Sequence, residues 1–426
     1  MSYRIMHSLG VCLFLSIICL SVHAQNGSLE NRVALDLSEA LARTIANNPD
    51  LTASGYQIEA AEGMLQQAGF APNPELGVVV EDVFGSGKFR GADNAQTTVT
   101  LNWVLERGKR QRRVDAARAN VSLRTIEAEI MRLDVAAQTA RQFIICLAYQ
   151  ARLLKAAEAV SLAQKTVEAV RMRVAASRAL EADLARSEAD LARAELMLED
   201  YQHELSAAYH KLSAQWGQTQ LDFNSVAGDL NQLPVAEPFE KLLASAETNP
   251  ELIRFVSQQR LDESKLLLAQ ESAKPSWEVY TGLRRIGVSE DMAFVGGIKI
   301  PLTIRNQNQG KILETRANIA QTEAETTAAS IRIQTSLYVL YQELLHDLHI
   351  AERLVQDVIP LIQRALADTQ RAYELGRYRY TELSDVQAEL LEANNDLLEV
   401  SVDAHRLIIE IERLTGVRFT SPAQSQ

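Results

Sequence analysis

The sequence predicts a mainly α-helical chain with a small β part, built as two copies of one unit: a helix, a pair of short strands and a long helical hairpin. Three observations carry this. Only 6% of the 426 residues are aromatic and ten are Pro, while Ala, Leu, Glu, Arg and Gln dominate long stretches, a composition of long helices or coiled coil. Neither Pro nor Gly interrupts the chain between Gly108 and Ser177. Finally, landmarks recur in one order. The segments 47-NNPDL-51 and 248-TNPEL-252 correspond, as do Pro74 and Pro275, Gly108-Lys109 and Gly310-Lys311, 177-SRALEADLARSEADL-191 and 376-GRYRYTELSDVQAEL-390, and Gly217 and Gly416. A self-similarity of this kind marks a duplicated unit. The expected division is a signal peptide at 1–24, a first repeat at 25–217, a linker or equatorial segment at 218–238, a second repeat at 239–416 and a tail at 417–426.

Taken in order, the elements follow from local pattern. Arg4, the apolar run 9-LGVCLFLSIICLSV-22 and His23-Ala24 read as a secretory signal cut after Ala24, because the apolar run is too short to span a bilayer comfortably. Neither Cys12 nor Cys19 is preceded by the small residues of a lipoprotein signal, so lipidation is not expected, and Cys146 alone remains after cleavage. One thiol makes no intrachain disulfide and no cysteine metal site. No later stretch offers the run of about 18 apolar residues that a membrane helix needs.

Strands are expected at about 75–84 and 96–105, and again at about 276–285 and 292–302. In the first, Leu76, Val78 and Val80 oppose Gly77, Val79 and Glu81; in the second, Val99, Leu101, Trp103 and Leu105 oppose Thr98, Thr100 and Asn102. Trp277, Val279 and Leu283 oppose Glu278, Tyr280 and Arg284 in the third, and Phe294, Ile298 and Ile300 oppose Lys299 in the fourth. Each is about ten residues, the length of a tilted strand crossing an outer membrane; a soluble sheet with one buried face reads the same way. Four such strands leave two open edges and cannot close alone. Several copies of the chain could close them together.

The hairpins are expected at about 108–216 and 310–415, with turns near Ser177 and Gly376. Uninterrupted, the first outward helix reaches about 100 Å at about 1.5 Å per residue. Pro360 should kink its counterpart or mark a junction. Leu383, Val386, Leu390 and Leu397 have the spacing of a coiled-coil seam.

Beside that seam lies the pattern with the most chemistry. Glu382, Asp385, Glu389, Glu392, Asp396, Glu399 and Asp403 follow one another at steps of three and four, with no Lys or Arg between Arg379 and Arg406. On a helix this is one acidic stripe, which either faces solvent on the outside of the bundle or lines an interior path. Glu343, His346 and His349 with Asp347 could share a helix face, but one helix without a second cluster reads as a solvated face, and no metal site is expected. Glycine-rich phosphate loops, nucleophile–base sets and zinc-protease motifs are absent, so neither an enzyme nor a cofactor is expected. Five basic residues (Arg107, Lys109, Arg110, Arg112 and Arg113) crowd the passage from strand to helix, within a chain of net charge -12. An acidic chain repels nucleic acid as a whole, so that run is a local feature.

The segments 40-ALARTIANNPDL-51, 101-LNWVLERGKRQRRVDA-116, 300-IPLTIRNQNQGKI-312 and 371-RAYELGRYRYTELSDVQAELLEANND-396 together resemble the TolC-type outer membrane efflux proteins, over essentially the whole mature chain. The two passages from strand to helix look most like the branch serving heavy-metal cation pumps for cobalt, zinc and cadmium, although Gln307 and Asn308 alter the second. The resemblance implies a homotrimer whose twelve strands form an outer-membrane barrel continued by a periplasmic coiled-coil tunnel. It also implies a periplasmic adaptor and an inner-membrane pump as partners, with outer-membrane lipid around the barrel and no nucleic acid.

By the same resemblance Glu382 and Asp385 fall where relatives carry acidic rings at the periplasmic aperture, and Tyr373 where they carry a gate tyrosine. Tyr378 stands where the gate's arginine is expected, so the salt-bridge pattern of the gate does not carry over. Glu389, Glu392, Asp396, Glu399 and Asp403 would continue the aperture as a tunnel lining. Ser177, Arg178, Gly376 and Arg377 would meet the adaptor at the hairpin tips. Trp103, Trp277 and Phe294 would form a membrane belt, and Arg110, Arg112 and Arg113 would rest near anionic headgroups at the periplasmic face. A soluble periplasmic coiled-coil adaptor is the alternative; it needs one hairpin and no duplicated strand pairs.

Overall fold

The computed structural model describes residues 34–106, 108–302 and 306–416; the expected signal peptide and the tail at 417–426 lie outside these. The first unit consists of α1 (Leu37–Asn47), α2 (Pro49–Ala68), β1 (Glu75–Glu81), β2 (Gln96–Leu105), α3 (Lys109–Ala175) and α4 (Glu181–Ser213). The second consists of α5 (Phe239–Ala246), α6 (Pro250–Ser272), β3 (Trp277–Ile286), β4 (Met292–Lys299), α7 (Gln309–Arg353), α8 (Ile359–Glu374) and α9 (Tyr380–Thr415).

Where one opening helix was expected in each unit, there are two, broken at the Asn-Pro pair. Asn48 is the reason in the first unit. Its side-chain oxygen accepts from the backbone of Asp50 at 2.9 Å and of Leu51 at 3.1 Å, which caps α2, and Pro49 fits the first helical turn because its missing N–H is not needed there. Its amide nitrogen donates to the Gln215 carbonyl at 2.7 Å, where the return helix of the hairpin ends. Asn249 repeats both bonds, accepting from Glu251 at 2.6 Å and donating to the Leu414 carbonyl at 2.5 Å. Each Asn-Pro thus splices the end of a hairpin to the start of the next helix. Gly217 and Gly416, at φ 75° and 68°, supply the left-handed residue that stops each return run.

The strands form one antiparallel sheet in the order β1-β2-β3-β4. Val78 pairs with Val99, Val99 with Leu283 and Leu283 with Phe294, so apolar residues of all four strands share one face. That face is bare in the single chain: Leu76 is 72% and Phe294 77% exposed. β1 stops at Glu81 rather than near 84, because Asp82 and Phe84 take left-handed φ values of 60° and 54°, which a pleated strand cannot contain. β4 stops at Lys299 rather than 302; Pro301 cannot donate to a ladder and restricts Ile300 before it.

α3 runs 67 residues without a break. Its counterpart does not: a π-helical turn, Leu354–Val358, joins α7 to α8 and places Pro360 in the first turn of α8. The expected kink is therefore a widened turn, which relieves the clash that a proline ring makes with the carbonyl four residues back. Both hairpin tips turn alike. Ser177 and Gly376 are left-handed at φ 54° and 76°, and the next residue donates back five places, Arg178 to Arg173 at 2.8 Å and Arg377 to Ala372 at 2.9 Å.

Burial concentrates at the equator and along the hairpin seams. Leu35, Phe143, Leu212, Trp216 and Phe223 anchor one equatorial cluster and Leu242, Leu337, Leu344 and Ile411 another. The strap between the units is tied in by Leu35, which brackets Val226 through bonds to Ser225 at 3.0 Å and Ala227 at 2.8 Å. The predicted seam is divided between two clusters, Leu383 with Val170, Tyr373 and Tyr380, and Val386, Leu390 and Leu397 with Leu354, Ile359 and Ile362.

Candidate functional site

The two hairpins are fastened to each other near their tips. Arg173 lies over the Tyr373 ring at 4.3 Å and donates to the Tyr373 carbonyl. At the start of α9, the Tyr380 hydroxyl donates to Asp190 of α4 at 2.8 Å, and the Ser384 hydroxyl approaches the same carboxylate at 3.4 Å. Tyr373 is only 5% exposed and its hydroxyl has no protein partner; burial pushes its phenol up, partly opposed by Arg173. Tyr378, at the position of the expected arginine, is 49% exposed. The cation at the tyrosine comes instead from the other hairpin. Sequence reasoning missed Arg173, which lies two hundred positions from Tyr373 in the chain.

All seven carboxylates of the stripe are exposed along α9 in the single chain. Glu382 is also a helix cap. Its carboxylate accepts from the Arg379 backbone at 2.9 Å and the Thr381 hydroxyl at 3.0 Å. Its acidity is strengthened first by a bond from its own backbone N–H, then by these two donors. Two cations of the neighbouring α7–α8 arm are used locally, Arg353 by Asp357 and Arg371 by Asp368. Arg152 of α3, not foreseen, comes to 3.7 Å from Glu399, and Arg406 to 3.4 Å from Asp403. Asp385, Glu389, Glu392 and Asp396 have no ion-pair partner among the described residues. The middle of the stripe is thus free to attract cations from solution.

At its far end the stripe meets α7. Glu343, His346 and Asp347 line a hollow of about 440 Å³ with Asp403, Arg141, Arg406 and Glu410. Burial holds the Asp347 carboxyl above its usual range, and the Asp403 charge adds to this. His349 does not join them, and no group of three or more His, Cys, Asp or Glu suited to a metal occurs among the described residues.

The three candidate belt residues separate along the sheet. Trp277 pairs with Leu105 and Trp103 with Val279, next to the helices. Phe294 pairs with Leu283, four residues farther along β3, or about 13 Å at about 3.3 Å per residue. The opposite face is polar: Arg284 donates to Thr98 at 3.0 Å and reaches Glu81 at 3.4 Å, and Lys299 lies 3.1 Å from Glu278.

The basic passage is mostly an internal clamp. Arg113 grips Glu106 through two bonds of 2.5 and 2.9 Å and donates to the Phe70 carbonyl at 3.2 Å. Lys109 reaches Ser276 at 3.0 Å. The Arg113 fork is satisfied within the chain; Arg110 stays exposed, and Arg107 lies outside the described residues. Gly108 is small for a reason: a Cβ there would meet the Glu271 carboxylate at 3.0 Å, whereas one on Gly310 would meet nothing.

Among the described residues no helix is long and apolar enough to cross a membrane. The comparisons agree with this geometry. The outer membrane protein VceC of Vibrio cholerae superposes with a TM-score of 0.73 at 17% identity, covering 89% of this chain and 96% of its own. The outer-membrane channel OprN gives 0.75 at 16%, covering 89% of both. At such identities the likeness establishes the fold. In sequence, the cobalt-zinc-cadmium resistance protein CzcC of Cupriavidus metallidurans is 28% identical over 385 residues, 90% of each chain. A family model described as outer membrane efflux protein matches residues 40–218. The fold, the duplicated unit and these matches agree in making the chain similar to the outer membrane efflux proteins.

Proposed function

We propose that the chain is the outer-membrane duct of a tripartite efflux system, exporting heavy-metal cations delivered by an inner-membrane pump and a periplasmic adaptor. Three copies would close three four-stranded sheets into one barrel, with the bare apolar face toward lipid and the Arg284 and Lys299 face toward the lumen. The six hairpins would continue it as a periplasmic tunnel. The chain consumes no energy; its part is to gate and to filter. The observation that carries this reading is the pairing of a sheet that has two unpaired edges and one bare apolar face with two long helical hairpins.

The free carboxylates of α9 favour cations as the substrate class, because rings of carboxylates around a narrow path raise the local cation concentration. Tyr373, Glu382 and Asp385 belong to the aperture in this reading, Glu389 through Asp403 to the tunnel wall, and Trp103, Trp277 and Phe294 to the lipid-facing surface.

The test is conductance of the purified protein in planar bilayers. Divalent cations should block the channel from the periplasmic side, and Glu382→Ala with Asp385→Ala should weaken the block. Asp385→Asn alone, which spares the α9 cap, should weaken it in part. Unchanged block in both variants would remove these residues from the aperture, and absence of any conductance would overturn the duct.

A further inference from the structure

On the polar face of the sheet, side chains of one strand lie over glycines of the next. Gly77 and Gly282 pair with Thr100, and Gly297 pairs with Tyr280; residues directly opposite in an antiparallel ladder point to the same face. A Cβ on Gly77 would meet the Thr100 hydroxyl at 2.8 Å, and one on Gly282 would run into the β2 backbone at Val99 and Thr100. At Gly297 a Cβ would meet the Tyr280 hydroxyl at 2.5 Å, its Cζ at 2.7 Å and its Cε1 at 2.9 Å. The outer half of the tyrosine ring therefore fills the space that any other residue at 297 would need, and the ring lies along β4 instead of standing off the sheet. Glycine permits this because nothing projects from its Cα. Gly296, on the apolar face, is under no such constraint: a Cβ there would have its nearest neighbours at 3.5 and 3.7 Å, an ordinary contact.

How far side chains stand off this face decides the bore of a barrel built from it. At about 8 strands side chains fill the interior, and at about 16–18 they leave an open channel. Three four-stranded sheets fall between these cases, so the stance of the long residues matters. Arg284 is tied sideways to Thr98 and Glu81, and Lys299 to Glu278. Tyr280 is laid down by the space that Gly297 leaves.

We infer that Tyr280, folded onto Gly297, sets the size of solute that the barrel passes. Three rings lying along the wall leave the bore open. Lifted from it, they would narrow the barrel at one level, because Tyr280 occupies the same place in each copy. The inference rests on the duct reading and adds a size filter in the barrel, separate from the charges on α9.

A single reactive thiol on the helix side of the ring reads the bore. Val104 lies on the polar face opposite Glu278, one step beyond the Asn102–Tyr280 pair toward the helices. Cys146, the only cysteine left once the expected signal is cut, is buried. Purified Val104→Cys protein in detergent is treated with maleimides carrying polymers of rising size. The proposed aperture is the narrower end of the duct, so large reagents reach position 104 past Tyr280. The parent should label up to a size limit, and G297V should shift that limit downward by lifting the ring. Y280A/G297V should bring the limit back, because no ring remains to be lifted. G296A should leave it where it is. Assembly of each variant is read from its mass in detergent, and if G297V does not assemble, G297A takes its place with the same expectation. An unmoved limit in the position-297 variant, an equal shift in G296A, or a Y280A/G297V protein that stays restricted or fails to assemble would overturn the inference. The parent separates the two claims. Labelling at every size would mean an open sheet and sink the duct, whereas a size limit indifferent to residue 297 keeps the duct and removes Tyr280 as its filter.

Discussion

Glu382 shows how a single side chain can hold two roles. Its carboxylate closes the first turn of α9 through Arg379 and Thr381, and the same charge stands first in the acidic stripe. Folding lowers its pKa, so its contribution to stability is present above the ordinary glutamate value of about 4.3. That contribution is lost as pH falls through the lowered folded value. Amide exchange in the first turn of α9 should therefore quicken in that acidic window, and Glu382→Ala should quicken it at neutral pH and remove the pH step. Cys146 makes the opposite case. It is fully buried, and burial pushes its thiol up to about 12, far from the reactive thiolate range. A maleimide should leave native protein unlabelled over hours and label it fully in denaturant; fast native labelling would refute the buried environment. The acidic stripe was legible because seven carboxylates at helical spacing need no partner to be seen. The Arg173–Tyr373 contact joins residues two hundred positions apart, and no local pattern could announce it.

At the scale of elements, the duplication told more than the propensities. The recurrence of Asn-Pro was visible, but its work was not, because half of each asparagine's bonding goes to a carbonyl more than 160 residues away. A cap alone contributes about 1 kcal/mol, and a buried carbonyl left without its donor adds a cost of about 1–3 kcal/mol. Asn48→Ala and Asn249→Ala should each destabilise by about 2–4 kcal/mol, whereas replacement by Asp, which caps but cannot donate an amide N–H, should recover only the capping part. Chemical denaturation of the four variants checks this; equal losses for Ala and Asp would mean that the splice contributes nothing. Strand ends were misplaced for a similar reason. Left-handed φ at Asp82 and Phe84 follows from the loop's closure onto the neighbouring strands rather than from the identity of either residue. Pro360 announced an interruption, yet whether an outward helix bends or widens depends on the packing around Leu354 and Ile359.

At the scale of the molecule, the strand pattern separates two explanations of the sheet, and adjacent positions on β2 decide between them. Leu101 pairs with Leu76 and Thr281 on the apolar face, and Asn102 with Glu75 and Tyr280 on the polar one. If the sheet is one third of a membrane barrel, a lysine at 101 must enter hydrocarbon near its middle, at about 2–4 kcal/mol, and the trimer carries it three times. A lysine at 102 would enter a watery lumen and change only conductance and selectivity. In a soluble sheet the order could be equal or reversed, since a helper surface would have to cover whichever face is bare. Leu101→Lys should therefore abolish outer-membrane assembly of the trimer, while Asn102→Lys should assemble and shift the channel toward anions. Assembly is read by membrane fractionation and by the oligomer's mass in detergent. Two variants that both assemble, or both fail, would contradict a barrel whose two faces meet lipid and water.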